Sequence, residues 1–155
     1  MADIQHFNVK IFAAESQGTD LSGAIPVFHR WIQTKARPEL LIDVADYRHV
    51  PAGPGVLLIG HEAAYSLDLR AHRLGLLYNR KTVVEGDLAT RIRQAWQSAV
   101  DSAAQLEQEP EFAGKLSFNA SEAEVVLNDR RLAPNNDETW TTLEPHLRAV
   151  FDEVF

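Results

Sequence analysis

Cysteine is absent from the 155-residue sequence. Its absence excludes a disulfide framework, a thiolate zinc site, an iron–sulfur cluster and a cysteine nucleophile, and it fits a reducing compartment. Long apolar runs are missing too, since the longest, at residues 56–59, falls far short of the roughly 20 residues that cross a bilayer. The first residues carry an acid where a signal peptide has basic residues. We therefore expect a cytoplasmic protein that does not enter a membrane.

Basic residues are the minority charge. The sequence has 22 acidic against 15 basic residues, and its net charge is −7. Nucleic-acid binding draws much of its affinity from neutralising phosphates, which a negative field opposes. The short basic stretches at residues 72–73 and 79–81 have no interleaved aromatic residues on which bases could stack. We therefore expect no nucleic-acid partner.

The composition is that of an ordinary globular protein, with 45% apolar and 24% charged residues. A chain of this length is long enough to form a core without disulfides or metals, and it has the size of one domain. The sequence shows no internal repeat, low-complexity tract or linker. We therefore predict a single domain over residues 1–155.

Periodicity predicts the order of elements. Residues 6–14 alternate apolar and polar side chains as a strand does, whereas residues 87–109 repeat apolar side chains at helical spacing after Asp87, a potential N-cap. Residues 40–47 are apolar on both faces, which is typical of an interior strand. Pro145 places the start of the last helix near residue 141, because proline is best tolerated in a first turn. The remaining predicted elements are a helix at 22–35, a strand from 56, a strand at 73–81 after a turn at 69–72, and a hairpin of 115–120 with 123–129.

The predicted fold class is α+β, in the order β-α-β-β-β-α-β-β-α. Strands outnumber the crossovers, so the expected sheet is single, mixed and mostly antiparallel, with five to six strands and about three helices packed on it. The three tryptophans, Trp31, Trp96 and Trp140, lie on or beside helix faces, and core packing explains them better than stacking on a cofactor.

The stretch GVLLIGHEAAY, residues 55–65, contains the pair His61-Glu62. A zinc-peptidase helix would need a second histidine where this sequence has Tyr65, so the signature fails. If the stretch is a strand, the two side chains point to opposite faces and cannot bind one ion. We expect no metal site, and at most one of the pair in a pocket.

The loop at residues 15–23 joins a strand to a helix, a position where backbone N–H groups can hold a phosphate. It lacks both the Walker pattern and the dinucleotide-binding pattern, and its two acids, Glu15 and Asp20, oppose an anion. We therefore predict no nucleotide, flavin or other cofactor.

Polar side chains gather at the ends of the predicted central strands. Asp43 lies inside an apolar strand, where an ionised carboxylate needs a partner, for which Arg80 or Arg130 is a candidate. One interpretation is that these groups form structural ion pairs that fix strand register. The other is that they line a pocket for a small polar ligand, where a carboxylate or imidazole could act as an acid or base. The candidate residues are Asp43, Asp46, Tyr47, His61, Glu62, Tyr78 and Arg80.

Three functions remain open. The preferred one is a small-molecule-binding or regulatory protein without catalysis, for which a homo-oligomer joined through a sheet edge or a helix face is also considered. The second is a small cofactor-independent isomerase, lyase or hydrolase that uses an Asp or His as general acid or base. The third is an accessory domain that binds another protein. An enzyme predicts at least two of the candidate residues around one point, a ligand-binding protein predicts a pocket with apolar walls, and an accessory domain predicts an exposed apolar patch.

Overall fold

The computed structural model of the protein describes residues 4–14 and 20–154. Within these residues it contains six β-strands and three α-helices, with short 3-10 turns at Leu21–Gly23 and Arg70–His72. The strands are β1 (Phe7–Ala13), β2 (Leu41–Tyr47), β3 (Gly55–Gly60), β4 (Ala63–Asp68), β5 (Gly75–Arg80) and β6 (Phe118–Leu127). The helices are α1 (Ala24–Thr34), α2 (Leu88–Glu107) and α3 (Asp137–Val154).

The six strands form one sheet in the order β2-β3-β4-β5-β1-β6, and each neighbouring pair is antiparallel. Strands β2 to β5 follow one another as a meander. The first strand, β1, enters between β5 and β6, and the crossovers through α1 and α2 make this order possible. The predicted α+β class with a single sheet of five to six strands is therefore confirmed.

The helices lie on one face of the sheet, because alternate strand residues all belong to the same core. Val9, Leu58, Tyr65 and Tyr78 occupy one row across the sheet and are buried together with residues of all three helices. α2 packs on the sheet. α3 packs on α2, and the ring of Phe151 meets that of Trp96 in an edge-to-face contact. The opposite face, which we call the open face, carries no helix among the described residues.

Local signals place the helix ends. The Asp87 carboxylate accepts a hydrogen bond of 2.8 Å from the N–H of Thr90, so α2 begins at the predicted cap. α1 ends at Lys35, which adopts a left-handed conformation with φ 55°, and the Ala36 N–H reaches back to the carbonyl of Trp31 at 3.0 Å. This arrangement satisfies carbonyls that the helix end would otherwise leave unpaired.

The predicted order of elements is wrong at two places, the strand from residue 56 and the hairpin of 115–120 with 123–129. The stretch after Val56 is not one strand, because residues 61 and 62 form a tight turn that begins β4 at Ala63. Downstream, residues 118–127 form one continuous strand of 10 residues along β1 instead of a hairpin. The predicted turn at residues 69–72 is confirmed, since the 3-10 turn there joins β4 to β5.

The last helix starts earlier than predicted. The side chain of Asn136 accepts a hydrogen bond of 2.9 Å from the N–H of Thr139, as an N-cap does. The predicted start was instead based on the position of Pro145. Pro145 therefore lies inside α3. Core packing is confirmed for Trp31 and Trp96, which are buried, and is wrong for Trp140, which is 55% exposed.

No helix in the described part of the chain combines the length and the apolar character needed to cross a bilayer.

We predict that Gly55→Ala destabilises the protein more than most single substitutions. Gly55 begins β3 with φ 63°, and an added Cβ would lie 2.0 Å from the Leu67 carbonyl oxygen of the paired strand. We expect a loss of about 3 kcal/mol or more in the free energy of unfolding, measured by urea denaturation.

Gly114→Ala is the matched control. Its φ of 74° is also positive, but a Cβ there meets no heavy atom within 4 Å. It should cost only the backbone strain, about 1–2 kcal/mol. Equal losses for the two variants would show that the contact with the Leu67 carbonyl is unimportant.

Candidate functional site

Strand β2 lies at the edge of the sheet, which overturns the expectation that it is an interior strand. The side chain of Ile42 in this strand, for example, is 54% exposed instead of buried. Asp43 is exposed as well, and its carboxylate accepts a hydrogen bond of 2.8 Å from the N–H of Val44. The predicted burial of Asp43 is therefore wrong. Its proposed partner Arg80 lies near Glu62 instead, at 3.6 Å.

Asp46 and Tyr47 end the same edge strand and are exposed. The Asp46 carboxylate forms two hydrogen bonds with the guanidinium of Arg48, at 2.8 and 2.9 Å. This contact lowers the pKa of Asp46 to about 2. Asp46 therefore makes a local surface ion pair, as the structural interpretation of the strand ends expects.

The other candidates lie elsewhere. His61 and Glu62 form the turn between β3 and β4, at the opposite end of β3 from the residues that pair with Asp46 and Tyr47. Tyr78 points to the helix face, where its ring is buried and its hydroxyl accepts a hydrogen bond of 2.9 Å from Gln94.

Apart from candidates that are neighbours in the chain, Glu62 and Arg80 are the two that form an ion pair with each other. Arg80 also donates to the backbone carbonyls of Thr82 and Val83, so its guanidinium holds the segment that follows β5. These residues therefore do not assemble one pocket. Residues 15–19 of the predicted phosphate loop at 15–23, which include Glu15, lie outside the described residues. Asp20, which is described, accepts a hydrogen bond of 2.9 Å from the N–H of Ser22.

A different group of polar residues is buried on the open face. The alternation of β1 that places Phe7 and Val9 in the core turns Asn8 and Lys10 to the other side. Asn8 is 5% exposed and Lys10 is 4% exposed, although no helix covers them within the described residues. Buried polar side chains on a sheet face without helices need partners within that face.

Lys10 forms a buried ion pair with Asp68, the last residue of β4. The distance from the Lys10 ammonium to the Asp68 carboxylate is 2.8 Å, and the Asp68 side chain is 1% exposed. The same ammonium donates at 3.3 Å to the backbone carbonyl of Arg70. β5 lies between β1 and β4 in the sheet, so this pair reaches across an intervening strand. The pair therefore links the first strand to the β4–β5 connection.

The ion pair forms one wall of a cavity of about 350 Å³ on the open face. It is lined by residues of β1, β5 and β6, by Asp68, and by residues of the β4–β5 connection. The volume lies at the lower end of the range for pockets that hold small molecules. The lining includes Asn8, Lys10, Asp68, Arg73, Glu124 and Val126.

Two buried oxygens of the side chains that line this cavity have no hydrogen-bond donor among the described residues. They are Oδ1 of Asn8 and Oδ1 of Asp68. The Asp68 oxygen lies 3.4 Å from Nε of Arg70, an ion-pair contact that lacks the geometry of a hydrogen bond. An unpaired buried acceptor costs roughly 1–3 kcal/mol, so native structures rarely leave one unsatisfied without water or a ligand.

Arg73 closes the end of the cavity that is nearest the β4–β5 connection. Its guanidinium lies 3.8 Å from the centroid of the Phe12 ring and donates a hydrogen bond of 2.9 Å to Glu122 on β6. This pairing raises the pKa of Arg73 and lowers that of Glu122. Glu124, directly opposite Lys10 on β6, is exposed at the cavity.

The β4–β5 connection has an unusual backbone. Ala71 and His72 have φ values of 59° and 56°, in the left-handed region that β-carbons disfavour. Each such residue costs about 1–2 kcal/mol. Strain of this kind is found where the surrounding structure must hold a loop in one shape, as at binding sites. Ala71 lines the cavity, so the strained residue shapes its wall.

Sequence reasoning missed this site for two reasons. The alternation of residues 6–14 shows that Lys10 lies on the face opposite the apolar residues, but such a lysine is usually solvated at a surface. Asp68 precedes a turn, where aspartate is common for its own local hydrogen bonds. The one signal in the sequence was Lys10, a charged residue at the centre of a predicted strand.

No protein-family model, characterised protein or solved structure gives a significant match to this chain. Among the described residues, no three histidine, aspartate or glutamate side chains converge as metal ligands do. Function is therefore inferred from the cavity itself.

We predict that Lys10 and Asp68 stabilise the fold as a pair. Lys10→Met should lower the free energy of unfolding by about 3 kcal/mol, because it leaves the Asp68 carboxylate buried without its ammonium. The double variant Lys10→Met/Asp68→Leu should lose clearly less than the sum of the two single variants. Urea denaturation of the wild type, Lys10→Met, Asp68→Leu and the double variant gives the coupling energy. Additive losses would contradict the pairing.

Ala71→Gly should raise the stability of the unliganded protein by up to about 1 kcal/mol, because glycine removes the left-handed strain. Ala104→Gly, at an exposed position inside α2, is the matched control and should lower stability by about 1 kcal/mol. Thermal unfolding of both variants checks the sign. If Ala71→Gly is as destabilising as the control, the connection is not strained.

Proposed function

We propose that the protein binds a small polar molecule in the open-face cavity and does not transform it. The observation that carries the proposal is the cavity of about 350 Å³ whose lining includes the buried polar side chains of Asn8, Lys10 and Asp68. A cavity that combines apolar surface with a few fixed polar side chains is typical of sites that orient a small ligand.

The charges of the cavity support binding over catalysis. The Lys10 ammonium is held by Asp68 and by the Arg70 carbonyl, so it is not a free base or nucleophile. The described residues that line the cavity include no histidine, serine or tyrosine. The walls are more polar than the apolar walls expected for a ligand-binding protein, but most of their charges neutralise one another.

Substitution of Val126 tests the site. This residue is 38% exposed on the outer strand β6 and lines the cavity, so Val126→Trp should fill the cavity without disturbing the core. In a thermal-shift screen of small metabolites, we expect at least one compound to raise the melting temperature of the wild type. A ligand at 100 times its Kd adds about 2.7 kcal/mol to the stability, and this gain should be lost in Val126→Trp.

Val83→Trp is the control, because Val83 is 66% exposed and does not line the cavity. It should respond to the same compound as the wild type does. The proposal is overturned if no compound binds, or if the compounds that bind act equally on Val126→Trp and on the wild type.

A further inference from the structure

The last helix, α3, carries two apolar stripes. Leu143 and Val150 form the first stripe and are buried, and α3 packs chiefly on α2. The second stripe consists of apolar residues 140, 147, 151 and 154, which lie in line along the helix because their spacing is helical. It is open to solvent at both ends, where Trp140 is 55% and Val154 is 38% exposed. The second stripe therefore resembles the seam along which a further helix packs.

A groove of about 270 Å³ lies along the second stripe. Its lining includes Glu144, Leu147, Arg148 and Phe151, which occupy positions i, i+3, i+4 and i+7 of the helix. In knobs-into-holes packing, four residues of one helix form the hole that receives a side chain of the facing helix. Trp140 adds a large aromatic wall at one end. The groove therefore has the shape to receive a large apolar side chain from a partner helix.

The charge around this groove is negative. The acidic residues of α3 are Asp137, Glu138, Glu144, Asp152 and Glu153, and its basic residue is Arg148. Arg148 donates hydrogen bonds of 2.6 and 2.9 Å to the Glu144 carboxylate, so its charge is offset within the helix. Asp152 lines the groove and is exposed. Electrostatic complementarity therefore favours a basic partner.

The same charges disfavour a second copy of this chain as the occupant. The net charge of the chain is −7, and pairing two α3 helices would bring two acidic surfaces together. Like charges placed opposite one another across an interface lower its affinity. A helix that carries lysine or arginine beside its apolar stripe meets no such repulsion.

We propose that the α3 groove binds a basic amphipathic helix of another protein. This inference goes beyond the proposed function and is independent of it, because no residue that lines the groove lines the open-face cavity. A leucine or phenylalanine of the partner would fill the hole, with its lysine or arginine residues near Glu144 and Asp152. Trp140 should contribute most to the affinity, since exposed tryptophans that become buried dominate many interfaces.

A synthetic amphipathic helix tests the groove. The probe is a fluorescein-labelled peptide of leucine and lysine, with leucine at the two core positions of each heptad, and the control peptide has glutamate in place of lysine. Fluorescence anisotropy at physiological ionic strength should show saturable, micromolar binding of the lysine peptide and no binding of the glutamate peptide. The unlabelled lysine peptide should shift tryptophan emission to shorter wavelength, because Trp140 is exposed whereas Trp31 and Trp96 are 1% and 4% exposed.

Two variants locate the contact. Trp140→Ala should weaken binding of the lysine peptide at least tenfold, which is about 1.4 kcal/mol. Leu40→Ala is its matched control, since Leu40 is 69% exposed but does not line the groove, and its affinity should be unchanged. Asp152→Asn should weaken binding about threefold. Asp43→Asn removes the same charge from the exposed edge strand β2 and should leave the affinity unchanged.

Four results would overturn the inference. They are no binding of the lysine peptide at millimolar concentration, equal binding of the two peptides, equal affinity of Trp140→Ala and wild type, and a wild-type dimer in sedimentation equilibrium that Trp140→Ala dissociates. The last result would assign the groove to a second copy. Val126→Trp, which fills the open-face cavity, should bind the peptide as the wild type does, so failure of the metabolite screen leaves this inference standing.

Discussion

The buried contact between Lys10 and Asp68 joins two strands that are not neighbours in the sheet. It crosses the intervening strand β5 and ties β1, near the far edge of the sheet, to the end of β4. Because both side chains are almost fully buried, their charges must be compensated within the protein. The ammonium also holds the carbonyl of Arg70, so the pair sets the position of the connection that walls the cavity.

The two faces of the sheet meet their burial requirements by different means. On the helix side, apolar residues such as Val9 and Tyr65 pack against α1 and α2 in one continuous core. On the open face, burial is local and polar, and it leaves Oδ1 of Asn8 and Oδ1 of Asp68 without donors in the part of the chain that the structure describes. The strained backbone at Ala71 lies at the same place. Unpaired acceptors and backbone strain both lower stability, and the residues that carry them lie beside the same cavity.

Much of the fold was predictable from local patterns. Apolar repeats and the Asp87 cap located α2 closely, and alternation located β1, because both signals act within a few residues. The candidate site was not predictable in the same way. The expectation for Asp43 assumed that an apolar strand lies inside the sheet, whereas β2 is an edge strand and leaves that carboxylate exposed. The turn at residues 61–62 was not predicted either, since neither residue is a typical turn former.

The sequence by itself determined the α+β class, the amphipathic helices and the face of β1 to which each side chain points. These properties follow from helical and strand periodicity, which neighbouring residues specify among themselves. Only the tertiary structure decided which strands are neighbours, and therefore which polar groups meet. Lys10 and Asp68 are 58 residues apart, and no local rule couples them. They meet because the crossovers insert β1 beside β5, and that order is set by long-range packing of the helices on one face.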